Sequence, residues 1–99
     1  MPRKRFGQHF LHDPGILARL VEAIAPSPEH AIVEIGPGEG VLTRALLARV
    51  PHMTAIEIDR DLAAQLSAEI PADRLTVHCA DALDFDFGAL PPGARIVGN

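Results

Sequence analysis

The sequence has no tryptophan and no tyrosine, and its aromatic rings apart from histidine are four phenylalanines. Chemistry that needs an indole or a phenol must draw it from outside these 99 residues. A single cysteine, Cys79, excludes an internal disulfide and any site built from several thiolates, and suits a reducing cytosol. No apolar run approaches the roughly 18 residues of a membrane span. The basic start, Arg3-Lys4-Arg5, has no apolar stretch behind it of the kind a secretory signal carries. These absences together predict a cytoplasmic protein without a membrane partner.

What is present suits a globular chain: 47% apolar and 22% charged residues, in a length that allows one domain. The net charge of −4 is unevenly spread. Residues 1–12 contain Arg3, Lys4 and Arg5 and no acid, whereas residues 13–99 hold six basic and thirteen acidic residues. The chain therefore divides into a basic arm, 1–12, and an acidic body, 13–99. A basic arm is compatible with nucleic acid, and equally with a solvated terminus.

The body alternates between two hydrophobic periods. Asp13-Pro14 reads as a helix cap with proline at the first helical position, followed by Ile16, Leu17, Leu20, Val21 and Ile24 at helical spacing. Residues 31–35 form a short apolar run broken by Glu34, which empties into Gly36-Pro37-Gly38-Glu39-Gly40. A second helical pattern (Leu42, Ala45, Leu46, Val50) leads to a strand at 53–58. Asp59 or Asp61 can cap a third helix, carrying Leu62, Ala63, Leu66 and Ile70. Strands follow at 75–79 and 95–98, joined by a turn-rich connection. Strands alternating with helices in this order predict an α/β fold, a parallel sheet with flanking helices in the Rossmann-like manner.

In an open parallel sheet, ligands bind beyond the carboxyl ends of the strands. Glu34, Glu57, Asp81 and Asn99 each fall at or just past such an end. Any one of them could merely mark where a strand leaves the core; the set, with a glycine loop, points to a site. Two cofactor classes compete for that loop. The dinucleotide pattern G-x-G-x-x-G/A requires glycine or alanine at position 41, which is Val41. The spacing here is Glu34-x-Gly36-x-Gly38-x-Gly40, as in nucleoside-dependent methyltransferases. Glu57 suits a ribose-binding acid in either class, with Oε1 and Oε2 accepting from both hydroxyls. Asp81 favours the methyltransferase reading, because it can accept from an adenine amine. Carboxylates suit a cationic sulfonium and would repel a pyrophosphate.

Read in order, Arg3-Lys4-Arg5-Phe6-Gly7-Gln8-His9-Phe10-Leu11, Glu34-Ile35-Gly36-Pro37-Gly38-Glu39-Gly40, Ile56-Glu57-Ile58-Asp59, Asp81-Ala82-Leu83 and Gly98-Asn99 resemble the small-subunit rRNA adenine N6,N6-dimethyltransferases. The resemblance covers essentially the whole chain, and the Phe-Gly-Gln-x-Phe-Leu stretch is its most specific element. It implies a class I methyltransferase fold that uses S-adenosylmethionine. The implied substrate is a pair of adjacent adenines near the 3′ end of small-subunit rRNA, met as rRNA or as a pre-30S particle. The family places cofactor contacts at His9, Leu11, Gly36, Gly38, Glu57, Asp81 and Asn99, and an RNA-facing segment at Arg3, Lys4 and Arg5. His9 stands where many relatives carry Asn; an imidazole can still donate a hydrogen bond.

In that family Asn99 would begin Asn-Leu-Pro-Tyr, the catalytic motif. The Asn side-chain oxygen and a backbone carbonyl accept the two amine hydrogens and direct the nitrogen lone pair to the methyl group, so that positioning supplies most of the acceleration. The tyrosine stacks on the extruded base. The resemblance thus implies the amino-terminal portion of an enzyme, truncated after the fourth strand, and an isolated chain without activity. The competing readings are a methyltransferase for another RNA or a small molecule, an NAD-binding dehydrogenase domain, and a non-catalytic binding module. Cys79, Met53, Phe85 and Phe87 are expected to be packing residues. His12, His30, His52 and His78 show no ligand spacing, so no metal is expected. No oligomeric state follows from the pattern.

Overall fold

A computed structural model describes residues 11–98; Arg3, Lys4, Arg5, His9 and Asn99 lie outside the described residues. The first described helix, α1 (Pro14–Ile24), starts where the sequence predicts. Asp13 Oδ1 accepts from the backbone N–H groups of Gly15 at 2.8 Å and Ile16 at 3.2 Å, and Pro14 follows at the first helical position. Ala25 ends the helix in the left-handed conformation (φ 50°), donating its N–H to the Val21 carbonyl. Arg95, from the far end of the chain, donates to the Ile24 and Ala25 carbonyls and so fastens the end of α1 to the sheet.

Four strands follow: β1 (Ile32–Ile35), β2 (Met53–Glu57), β3 (Leu75–Cys79) and β4 (Arg95–Gly98). They form one parallel sheet in the order β3-β2-β1-β4, with Val33 opposite Thr54 and Ile96, and Ala55 opposite Val77. Helix α2 (Val41–Leu47) joins β1 to β2, and α3 (Arg60–Glu69) joins β2 to β3. The Asp59 carboxylate caps α3 by accepting from the Asp61 and Leu62 N–H groups, which settles the choice between Asp59 and Asp61. The strands are added outward from β1 first on one side (β2, β3) and then on the other (β4), so the strand order reverses between β1 and β4 and the β1 exit lies next to the crevice that open sheets use for ligands.

The core lies between the sheet and the helices. Ile32, Leu46, Met53, Ala55, Leu66 and Leu75 are all nearly inaccessible, with Leu17 and Ile24 of α1 half-buried against them. Central strands read as apolar runs because both of their faces are covered. The Arg74 side chain donates to the carbonyls of Leu47 (2.5 Å) and Pro51 (2.8 Å), satisfying backbone acceptors where α2 runs out. The α2 pattern read from sequence extends to Val50; the helix stops at Leu47, although Val50 is buried.

Two packing expectations need correction. Cys79 is exposed, not a core residue. It shares a strand face with Leu75 and Val77, but β3 is an outer strand, and coverage declines along it from buried Leu75 through half-buried Val77. Phe85 and Phe87 are half-buried and outside the core. They pack edge-to-face with each other (centroids 5.0 Å apart), and Phe85 packs in the same way on His78 (5.2 Å). These contacts anchor the connection after β3, which contains the 3₁₀ turns Ala82–Asp84 and Phe87–Ala89.

Candidate functional site

Residues 36–40 leave the centre of the sheet as a loop whose path requires glycine at particular positions. Gly38 (φ 60°) and Gly40 (φ 91°) both occupy the left-handed region, and a Cβ on Gly40 would come within 2.7 Å of Leu66 Cδ2. The loop is held at several points. The Gly36 N–H donates to the Ile56 carbonyl at 2.9 Å, extending the sheet ladder, and the Gly40 N–H donates to the Pro37 carbonyl at 3.0 Å. Between them, the Gly38 N–H donates to Glu57 Oε1 at 2.9 Å.

Glu57 is the last residue of β2 and has no exposed surface. Its other oxygen, Oε2, accepts from the Asp59 N–H at 2.9 Å. A buried carboxylate must be surrounded by donors, and backbone amides on both sides meet that need. One side chain thereby fixes both the glycine loop and the start of α3.

Glu34, also buried, is directed elsewhere. Its Oε1 accepts from the Thr43 hydroxyl of α2 at 2.5 Å, and Glu34 does not line the cavity described next. The sequence places both acids at strand exits; the structure gives them different duties.

A cavity of about 270 Å³ opens at the carboxyl ends of β1 and β2. Its lining includes Gly36, Glu57, Ile58 and Asp81, closed by Ile35, Ile56 and two alanines. Asp81 follows the end of β3, and its Oδ1 accepts from the Leu83 N–H at 2.9 Å, which orients the carboxylate at the start of the 3₁₀ turn. Three residues expected to bind a cofactor, Gly36, Glu57 and Asp81, therefore come together at one cavity, and Gly38 is bonded to one of them. Leu11 does not join them: its side chain is buried in the hydrophobic core.

Sequence reasoning assigned no role to Ile58 or Thr43. Ile58 is 65% exposed and lines the cavity, an apolar residue one step past the end of β2. The strand expected from sequence runs to residue 58 and so includes Ile58; the observed strand stops at Glu57 and leaves Ile58 outside the sheet. Among the described residues no group of His, Cys, Asp or Glu is arranged to hold a metal ion, and no described helix is long and apolar enough to cross a membrane.

The site is thus an apolar cavity with two acids, next to a three-glycine loop on a parallel sheet. The family model for ribosomal RNA adenine dimethylase matches residues 2–94. The chain belongs to the ribosomal RNA adenine dimethylase family. Ribosomal RNA small subunit methyltransferase A of Thiobacillus denitrificans is 57% identical over 98 residues. The match covers 99% of this chain and 38% of that relative, so the chain spans well under half the length of the relative. Among solved structures, the 23S rRNA methyltransferase ErmE superposes with a TM-score of 0.74 at 35% identity, over 87% of this chain and 35% of that one. A dimethyladenosine transferase from Plasmodium falciparum gives the same TM-score at 27% identity, over 88% of this chain and 32% of that one. The dimethylase family thus shares the sheet and helices described above, and the Rossmann-like fold expected from the sequence holds.

Proposed function

We propose that this chain is the cofactor-holding part of an S-adenosylmethionine-dependent enzyme that dimethylates N6 of two adjacent adenines in small-subunit rRNA. The observation that carries this reading is the placement of Glu57 and Asp81 on one apolar cavity, with Glu57 bonded to the glycine loop. The donor set fits the cofactor. Glu57, in the cavity lining, is the acceptor for ribose hydroxyls, Asp81 accepts from the adenine amine, and Ile58 offers an apolar face to the base. The glycine loop lets the aminoacyl tail approach the backbone. When bound, S-adenosylmethionine supplies an electrophilic methyl group on a cationic sulfonium. The two carboxylates favour that charge and disfavour a pyrophosphate, which is the physical ground for preferring it to NAD.

In the same reading, residues 1–12 form an arm and 13–99 the amino-terminal part of the methyltransferase domain. His9 and Leu11 approach the cofactor from the arm side, Leu11 through its backbone. Asn99 accepts a hydrogen from the adenine amine. Arg3, Lys4 and Arg5 meet RNA phosphates, and the partner is rRNA or the assembling pre-30S particle in the cytoplasm. The isolated chain binds cofactor without transferring a methyl group, since it contains no tyrosine to stack on an extruded base.

Calorimetric titration of the chain with S-adenosylmethionine and, separately, with NAD tests the proposal. One-site binding of the first and none of the second is expected. Binding of NAD alone would overturn the reading in favour of a dehydrogenase domain, and binding of neither would leave a non-catalytic module.

A further inference from the structure

The five-residue span 36–40 joins the end of β1 to the start of α2, and its glycines carry more backbone freedom than any other residue type. A loop of this kind meets a ligand well only if something fixes both of its ends. Glu57 holds the middle, at Gly38. The ends are bridged by a different bond, from Thr43 Oγ1 to Glu34 Oε1 at 2.5 Å. Glu34 lies in β1 just before the loop and Thr43 in α2 just after it, and the two are 1% and 0% exposed. The bond therefore clamps the loop across its base, in an environment where water does not compete for either partner.

Thr43 cannot touch a ligand in the cavity, because it is wholly buried and absent from the cavity lining. Nor is a hydroxyl needed there for shape, since valine has nearly the same outline and the other buried residues of α2, Leu42, Leu46 and Leu47, are all apolar. A hydroxyl at a fully buried helical position is retained for what it donates. From this we infer that Thr43 is a positioning residue for cofactor binding. It acts through Glu34 to hold the glycine loop in its binding conformation before the cofactor arrives. The inference rests on the proposed cofactor reading and adds to it a residue at which affinity is set by pre-organisation rather than by contact.

The test compares Thr43→Val and Thr43→Ser with the wild-type chain, well below the melting temperature of each. S-Adenosylmethionine affinity is measured by calorimetry, and backbone amide exchange of Gly38 and Gly40 without cofactor. Thr43→Val is expected to weaken affinity roughly tenfold and to speed exchange of both loop amides by a similar factor, while Val77 in β3 is unaffected. Thr43→Ser, which keeps the hydroxyl, is expected within about twofold of wild type in both. Wild-type affinity and unchanged loop exchange in Thr43→Val, even with a lowered Tm, would overturn the inference and leave Thr43 a purely structural residue. If the wild-type chain binds no S-adenosylmethionine, the functional reading fails instead, and loop exchange still decides whether Thr43 holds the loop. Should Thr43→Val not fold, Thr43→Cys, with its weak thiol donor, makes the same comparison with an expected effect of about threefold.

Discussion

Glu57→Ala is expected to weaken S-adenosylmethionine binding at least about a hundredfold, with a loss of stability in the unliganded chain. Two effects add in the affinity. The acceptor for the ribose hydroxyls disappears, and a hydrogen bond to a charged group contributes roughly 1.5–3 kcal/mol. The Gly38 N–H also loses its acceptor, so the loop that must receive the aminoacyl tail is no longer fixed at its centre. A factor of a hundred corresponds to about 2.7 kcal/mol, within the reach of these two terms together. The stability loss arises because the N–H groups of Gly38 and Asp59 are both left without the carboxylate that accepts from them. The vacancy at Gly38 is buried and costs on the order of 1–3 kcal/mol, whereas the one at Asp59 is only partly buried and costs less because water can replace the acceptor. Calorimetric titration and thermal melting of the variant check both halves. Wild-type affinity in Glu57→Ala would contradict the assignment.

Leu46→Ala is expected to destabilise the chain by about 2–5 kcal/mol and to lower its Tm by roughly 8–40 °C. Leu46 is fully buried in α2 and belongs to the core cluster with Ile32, Met53 and Leu66. Truncation there removes apolar burial from the helix that carries Thr43 and follows the glycine loop. Small α/β chains have little stability to spare, so a loss of this size is a large share of the total. By contrast, Leu20→Ala should change Tm far less, because Leu20 is 37% exposed on α1. Equal effects of the two substitutions in a melting experiment would show that the core is not centred where the burial places it.

Much of this architecture was legible in the order of the residues. The bounds expected for β3 and β4 match those observed, and the Asp13 cap and Pro14 start of α1 are local features that need no tertiary context. The clustering of Gly36, Glu57 and Asp81 was legible too, because a parallel sheet brings the carboxyl ends of its strands to one edge. What could not be read was the direction in which each side chain is engaged. Glu34 and Glu57 look alike in sequence, each an acid near a strand end. Glu34 is bonded to a helix that passes over the sheet, and Glu57 is held by amides of the loop and of the α3 cap. Thr43 shows only as one more residue of a helical pattern, since its partner lies nine positions earlier. Cys79 misled because strand alternation says which face a residue occupies but not how far along the strand the covering helix reaches.

The central claim is that the carboxyl edge of β1 and β2, with Asp81, holds the nucleoside of S-adenosylmethionine. Amide chemical-shift mapping of the isotopically labelled chain during titration with S-adenosylhomocysteine tests it most directly. The largest shifts are expected at Gly36, Gly38, Ile58 and Ala82, around the cavity and its loop. Shifts confined to the groove between α1 and α2, at Leu17, Val21 and Ala45, would contradict the account, because those residues line a separate hollow away from both carboxylates.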